Sequence, residues 1–484
     1  MTQFFAILRD SFREAVDGFV IYAMLGLSAL TILIVGSMSF TPVPPDDAFG
    51  KIASRFGTII PERGRGRTIS FSTGTGYKAA DVTPSGSGYK FRLNATGHTS
   101  ITLRPTDQIE ATNGPKDPPK PKDALKVGDS FRGSVAQWIG KSGETISIDA
   151  SGKSNQKGGG KRFELSMPTE STNEEQLAVT TAQMEEFLVN QFEMQAGMKA
   201  TVKRVTEGVA EPEYAFDVAT DSGTGVRGWP HKVQIFFGAV DISNEAPLGM
   251  VLWGIEDKVI NGLGAGVALL ISVIMTAFFV PNMIRKGSVD LLISKPIGRT
   301  PLLIYKYIGG LTFIFLVSTF TTGGVWLALA LRSGFWDPTF LVLIPILTFT
   351  FAILYSISVF VGVLTRSPIV AMLATIGSMF VFWLVGVAKM WADEKRKDND
   401  AAGESSHWLV TVVETLNTIL PRYKDLDTIT SKLIADGTLT PAEMRMVGLA
   451  SMDYPSWGAT FGVSLAFIAV MLGLACWRFN RRDS

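Results

Sequence analysis

Few residues in this chain have a type and spacing that could do chemistry, and most of those fail on their surroundings. The histidines His98, His231 and His407 stand far apart, with no metal-ligand spacing around any of them. The single cysteine, Cys476, sits near the end of an apolar stretch, where a thiol reads as a small packing residue, and alone it forms no intrachain disulfide. Residues 133–142, with Gly133, Gly140, Lys141 and Ser142, look like a phosphate-binding loop. The gap between those glycines is longer than the G-x-x-x-x-G-K-[ST] pattern allows. There is no His-Glu-x-x-His run and no serine or cysteine nucleophile with a partner, so neither the zinc-hydrolase nor the nucleophilic-enzyme pattern is present.

One stretch does carry a functional pattern. It runs Arg285-Lys-Gly-Ser-Val-Asp-Leu-Leu-Ile-Ser-Lys-Pro-Ile-Gly-Arg299. Ser288 can cap a brief helix whose Leu291 and Leu292 are followed by Pro296 as a stop. A short, rigid, basic and partly apolar helix has the form of a docking element for another protein. The competing reading is a plain basic anchor that fixes orientation.

The elements that must position this stretch are apolar. The chain is 46% hydrophobic and 18% charged, and its apolar residues gather into long blocks, so membrane insertion is the first class to test. Residues 19–40, 259–284, 307–331, 338–365, 367–388 and 455–477 lack Asp, Glu, Lys and Arg, and each is long enough to cross about 30 Å of hydrocarbon as a helix. Arg9 and Arg13 precede the first, and Arg285, Lys286, Lys295, Arg299 and Lys306 follow the second. Arg366 separates the fourth from the fifth, while Arg478, Arg481 and Arg482 follow the sixth. If every segment crosses, all of these fall on one side, which the positive-inside rule makes cytoplasmic, so both termini are expected there. Carriers coupled to protons or ions usually keep ionisable groups near the midplane, and charge-free spans argue for an external energy source instead. The first segment exceeds the usual core of a signal peptide, and Phe5, Leu8, Phe12, Ala15 and Val16 before it form an apolar helical face suited to lying along the inner leaflet.

Between the first two spans the character changes. Residues 68–72, 89–93, 99–103, 130–138, 145–149 and 233–237 are rich in β-branched and aromatic types and bounded by Gly, Ser, Asn and Pro, which predicts strands with tight turns. Residues 174–196 predict a helix with Leu177, Met184, Leu188 and Phe192 on one stripe, and 116–122 read as an extended linker. A net charge of +1 without a clustered basic face gives no sign of nucleic-acid binding.

These residues resemble the ABC-2-type permease family, and within it the branch that includes the membrane subunit for nitrous oxide reductase maturation. The resemblance lies in an amphipathic start at residues 4–14, the segment from Gly287 to Arg299 after the second span, and Leu420-Pro421 followed by Asp425-Leu-Asp427 before the last. It covers the chain up to residue 40 and from about residue 250 onward. Arg285 and Lys286 depart from it, standing where relatives often carry acidic residues, and the large inserted domain is no part of the family pattern.

The charge-free segments and the strand-like insert together predict a polytopic α-helical membrane protein with six transmembrane helices and a large mixed β-rich extracytoplasmic domain between the first and second spans, and the resemblance agrees with the helical part. Its expected parts are residues 1–40, the outer domain 41–257, and a five-helix region 258–484 with a cytosolic loop 285–300 and an outer loop 389–454. The implied function is the permease subunit of an ABC transporter in a bacterial inner membrane, exporting or moving a substrate and not itself an enzyme. An ATP-binding cassette subunit holding ATP and Mg would dock through Val289, Asp290, Leu291, Leu292, Lys295, Pro296 and Arg299. A second permease subunit, identical or different, would complete the assembly in the lipid bilayer. No catalytic, cofactor-binding or metal residue is expected in the chain itself. The alternative is a membrane-anchored sensor or scaffold whose outer domain binds an envelope partner.

Overall fold

The computed structural model describes residues 20–56, 58–59, 70–72, 76–96, 100–104, 163–166, 185–205, 213–221, 227–277, 281, 298–402, 408–450 and 452–481. Its first helix, α1 (Val20–Gly36), is apolar on every face and ends where the Ser37 hydroxyl donates back to Ile34 O at 2.7 Å. Strand β1 (Ser39–Pro42) follows at once and leads into α2 (Pro45–Ser54). Pro45, Asp46 and Asp47 suit the first turn of α2, where a missing N–H costs nothing and negative charge meets the positive end of the helix dipole.

Strands β2 (Thr58–Ile59), β3 (Ser70–Ser72), β6 (Ser100–Arg104) and β7 (Phe163–Ser166) form one antiparallel sheet. A second joins β4 (Gly76–Ser85), β5 (Gly88–Thr96), β9 (Glu213–Thr220) and β8 (Ala200–Val205) in that order. On β5, Phe91, Leu93 and Ala95 alternate inward, as expected of a sheet with one covered face. The cover is α2, whose Phe49 ring lies 4.3 Å from Phe91 and 5.4 Å from Trp229. Trp229 is fully buried, and its indole N–H donates to Val43 O at 3.1 Å. A third sheet joins β1, β10 (Pro230–Ile235) and β11 (Val240–Pro247), and it connects this domain to the helices.

The helical bundle begins with α3 (Leu248–Trp253), a π-helical segment (Gly254–Gly264) and α4 (Ala265–Thr276) in direct succession. Then come α5 (Arg299–Ser333), a short 3-10 turn (Pro338–Val342), α6 (Leu343–Thr365) and α7 (Pro368–Ala402). Helices α8 (Trp408–Ile419), α9 (Tyr423–Thr438) and α10 (Pro441–Met446) precede the last, α11 (Trp457–Arg481). Helix α6 is central. Every residue from 351 to 359 is buried, the mark of a helix apolar on all sides and surrounded by others. Tyr307 of α5 donates to Ala352 O at 2.8 Å, and its ring stacks on Tyr355 at 5.3 Å. Helices α1 and α5 run parallel, with the Ser28 and Thr321 hydroxyls 2.5 Å apart and Arg332 Nε donating to Met38 O at 2.6 Å.

Among the described residues, five helices are long and apolar enough to cross a membrane: Leu248–Ile274, Arg299–Ser333, Pro338–Thr365, Pro368–Lys389 and Trp457–Arg481. Against the expected sixth at 19–40, the described part of α1 has 17 residues and stops at Gly36. At 1.5 Å per residue it reaches roughly 25 Å. Its expected last residues belong instead to β1, pulled into the sheet by pairing of Phe40 with Val233. The second membrane helix also starts earlier than expected, at Leu248, so Glu256, Asp257 and Lys258 lie within it. The region 389–454, expected as a loop, is largely helical.

Candidate coupling sites at the two ends of the bundle

Of the expected docking residues, Val289, Asp290, Leu291, Leu292, Lys295 and Pro296 lie outside the described residues. The ends of that segment are placed. Arg299 is the first residue of α5 and is half-buried, following Gly298 in extended backbone. The next residue, Thr300, accepts from Asn480 Nδ2 at 2.9 Å, tying the start of α5 to the end of α11. On the other side Pro281 packs against Gly362 near the end of α6, where an added Cβ would meet the proline ring at 3.3 Å. Pro281 and Thr300 thus lie at the end of the bundle that also carries Arg366, Arg478 and Arg481. Lys306, about two turns into α5, is buried at this same end.

The opposite end holds a polar junction that the sequence reading did not identify. The π-helical segment brings Glu256, Asp257 and Asn261 into buried positions. Asn261 Nδ2 donates to Asp257 Oδ1 at 3.2 Å and to Ser431 Oγ of α9 at 3.3 Å, while Lys258 Nζ pairs with Asp257 Oδ2 at 2.8 Å. Lys258 also lies 4.7 Å over the Trp253 ring. These partners explain how charged residues enter an apolar helix: the cost of burying an ion falls when it is paired and hydrogen-bonded. Glu256 lacks that compensation for one oxygen, since Oε2 is buried without a hydrogen-bond partner. Among the described residues, no group of three or more His, Cys, Asp or Glu side chains could hold a metal.

Two glycines make the junction close. Gly437, in the last turn of α9, faces Asp337 and Thr339, and a Cβ there would overlap both side chains. Asp337 caps the 3-10 turn by accepting from Thr339 N at 3.1 Å, and its carbonyl accepts from Trp326 Nε1 at 2.7 Å. Gly249 in α3 lies against the carbonyl of Thr438, again leaving no room for a Cβ, and its N–H donates to Arg227 O at 2.6 Å. A glycine inside a helix costs about 1 kcal/mol relative to alanine, so Gly437 is the sequence signal by which this close approach could have been found.

The β-rich domain enters the junction through Arg55, Arg227 and the π turn Phe192–Ala196. Thr440 and Glu443 form a reciprocal capping box at the start of α10, and Arg55 and Arg227 bear on Glu443 electrostatically. Burial pushes the Glu443 carboxyl above the usual carboxylate range, against the Thr440 hydrogen bonds and the two arginines, which pull it down. Burial likewise holds Arg55 below the usual guanidinium range. A shallow pocket of about 240 Å³ opens beside this node, lined by Gln191, Glu193, Met194, Pro441 and Arg445 among others.

The Leu420-Pro421 element and its acidic follow-on have a structural part here. Pro421 is buried, its carbonyl accepts from Tyr423 N at 2.9 Å, and α9 starts there. Asp425, also buried, lies 3.7 Å from Lys389 of α7 and 3.8 Å from Arg422, and accepts from Thr460 of α11 at 3.4 Å. One carboxylate thus links three helices. Asp427 pairs locally with Lys424.

A family model described as "ABC-2 family transporter protein" matches residues 161–484, which include the bundle, both of its ends and part of the β-rich domain. No curated protein and no solved structure matches the chain.

Proposed function

The chain belongs to the ABC-2 family of transporter proteins, whose members are multi-pass membrane permease subunits, and from that premise we propose that a separate ATP-binding subunit drives this one. Docking is through the segment around Val289, Asp290, Leu291, Leu292, Lys295, Pro296 and Arg299, with ATP and Mg held in the partner. What supports this reading is the placement of two described residues on either side of it, Pro281 against Gly362 of α6 and Thr300 bonded to Asn480 of α11, at the basic end of the bundle. A force applied there acts on the central helix and on the last helix together.

The finer picture has α1 as a sixth span, both termini in the cytoplasm, and the β-rich domain on the far side of a bacterial inner membrane. Charge and aromatic placement support it. Arg299, Arg366, Arg478 and Arg481 gather at one end, while Trp326, Trp336 and the β-rich domain lie at the other, as the positive-inside rule and interfacial aromatics require. Two such permease subunits, identical or different, form the working unit, and closure of the ATP-binding partners shifts the bundle between two states, moving or exporting a substrate. The segment from Gly287 to Arg299 is the basis for placing the chain near the nitrous-oxide-reductase-maturation branch.

Replacing Leu291 and Leu292 together by Asp is expected to abolish co-purification of the ATP-binding subunit encoded nearby while the permease still folds. Unchanged co-purification would refute the docking assignment. The second reading, a sensor or scaffold, is motivated by the separate aromatic core of the β-rich domain around Phe49, Phe91 and Trp229. It requires that ATPase stimulation survive deletion of residues 285–299 and fail on deletion of the β-rich domain.

A further inference from the structure

The turn between β10 and β11 is one that its sequence should resist. Phe236 (φ 52°) and Phe237 (φ 56°) both adopt left-handed backbone, followed by Gly238 at φ 96°. Two consecutive left-handed residues suit the twist of a tight hairpin, but the types that fill them without strain are Asn, Asp and Gly. A phenylalanine there sets its Cβ against its own carbonyl. Core packing does not compensate, because both rings point outward, 55% and 76% exposed, with Val240 beside them at 48%. Residues 235–240 read Ile-Phe-Phe-Gly-Ala-Val, without a polar side chain, between Gln234 and Asp241.

The position of this tip gives the strain a use. Phe237 N donates to Ser37 O at 2.9 Å and Phe236 N to Ser37 Oγ at 3.2 Å, so the tip is fastened to the residue that ends α1. Strand β1 leaves α1 toward the β-rich domain, and β10 pairs with it antiparallel, Ser39 opposite Gln234. The hairpin therefore returns toward the bundle, and its tip stands level with the last turn of α1. That turn exposes Leu33 and Ile34, and exposed Leu331 and Trp336 mark the same level at the end of α5. An exposed apolar tip continuous with the lipid-facing belt of the helices meets lipid before it meets anything else.

We propose that Phe236 and Phe237 form a lipid anchor, inserting into the boundary between headgroups and acyl chains of the leaflet at the β-rich end and holding the third sheet against the bilayer. This rests on the membrane placement of the bundle, and the experiment separates the two. The full chain, with Cys476→Ala, carries one new cysteine labelled with an environment-sensitive fluorophore. It is reconstituted in nanodiscs of phosphatidylcholine or of the same lipid with brominated acyl chains. Label at Phe237→Cys is expected to emit in the blue and to lose intensity ~twofold or more in brominated lipid. Label at Lys232→Cys, further up the same strand, is expected to be unaffected. Val240→Cys repeats the measurement should the Phe237 variant fold poorly. Leu30→Cys, on the exposed face of α1, reports the membrane placement itself. Quenching at Leu30 without quenching at Phe237 or Val240 overturns the anchor; blue emission that bromine leaves intact means the tip is covered by a second copy or a partner protein and overturns it too. Absence of quenching at Leu30 overturns the membrane placement first.

Discussion

The close approach of Gly249 to Thr438 gives a prediction whose size follows from the geometry. In Gly249→Ala the new Cβ falls on the Thr438 carbonyl oxygen, and the obstacle is backbone on both sides, so no rotamer change relieves it. Either α3 or the end of α9 must move, and overpacking of this kind costs about 1–3 kcal/mol. The same movement stretches the Gly249 N to Arg227 O hydrogen bond of 2.6 Å. Losing it adds about 1 kcal/mol. The sum, about 2–4 kcal/mol, lowers the thermal midpoint by roughly 4–16 °C for a cooperative unit of about 150–250 residues. Gly254→Ala, in the same continuous helix, supplies the control: nothing lies within 4 Å of its Cβ, so relief of backbone entropy leaves it neutral or more stable by about 0.5–1 kcal/mol. The assay is a melting series of wild type and both variants in one detergent. A Gly249→Ala midpoint equal to wild type, or equal losses in both variants, refutes the claim that this contact locks the second membrane helix to α9.

Two further outcomes follow from other parts of the structure. His231 is buried with Nδ1 2.8 Å from Trp229 O, and burial holds its pKa below the usual histidine range. Below about pH 6.5 the unfolded chain takes up a proton there that the folded chain refuses, so stability falls as pH drops; His231→Asn should flatten the melting temperature between pH 7.5 and 5.5 relative to wild type. Asp425→Asn should cost about 1–2 kcal/mol, measured by chemical denaturation, because Lys389 and Arg422 lose their shared counter-charge at loose distances of 3.7 and 3.8 Å.

What the sequence disclosed depended on whether the cause was local. The 338–365 span coincides with the helix found, because the charged residues Asp337 and Arg366 that bound the apolar run also stand at its two ends, Asp337 as the cap and Arg366 in left-handed backbone that its residue type does not announce. The 259 start of the second span was eleven residues late: absence of charge marked it, but Asp257 is neutralised by Lys258 and Asn261, a pairing visible only once the helix is built. Strand β5 showed through its aromatic and β-branched run, whereas the run at 233–237 overlaps β10 only to Ile235, Phe236 and Phe237 forming the turn instead. Strand β9 and its order between β5 and β8 did not, since nonlocal pairing sets them. Leu420-Pro421 was legible as a motif, whereas the convergence of Asp425 on three helices was not.

The junction is consistent with a permease that moves its β-rich domain as well as its helices. A π-helical stretch spends hydrogen-bond quality to place its side chains at the wrong angle for an α-helix, and such stretches concentrate where function needs a particular direction. Here Gly254–Gly264 aims Asn261 at Ser431 and leaves Glu256 Oε2 without a donor. A buried carboxyl oxygen lacking a hydrogen-bond partner carries a desolvation cost that the rest of the fold must offset. Helix α9 and the 3-10 turn meet at Gly437, where Asp337 and Thr339 fill the space a side chain would take. Helix α9 reaches from Asp425, which bonds α7 and α11, to Gly437 and Thr438, which touch the 3-10 turn and α3. Helix α9 therefore joins α7 and α11 at one end to α3 at the other, and from Gly249 the next bond is to Arg227 of the β-rich domain, so the described contacts run from the bundle to that domain.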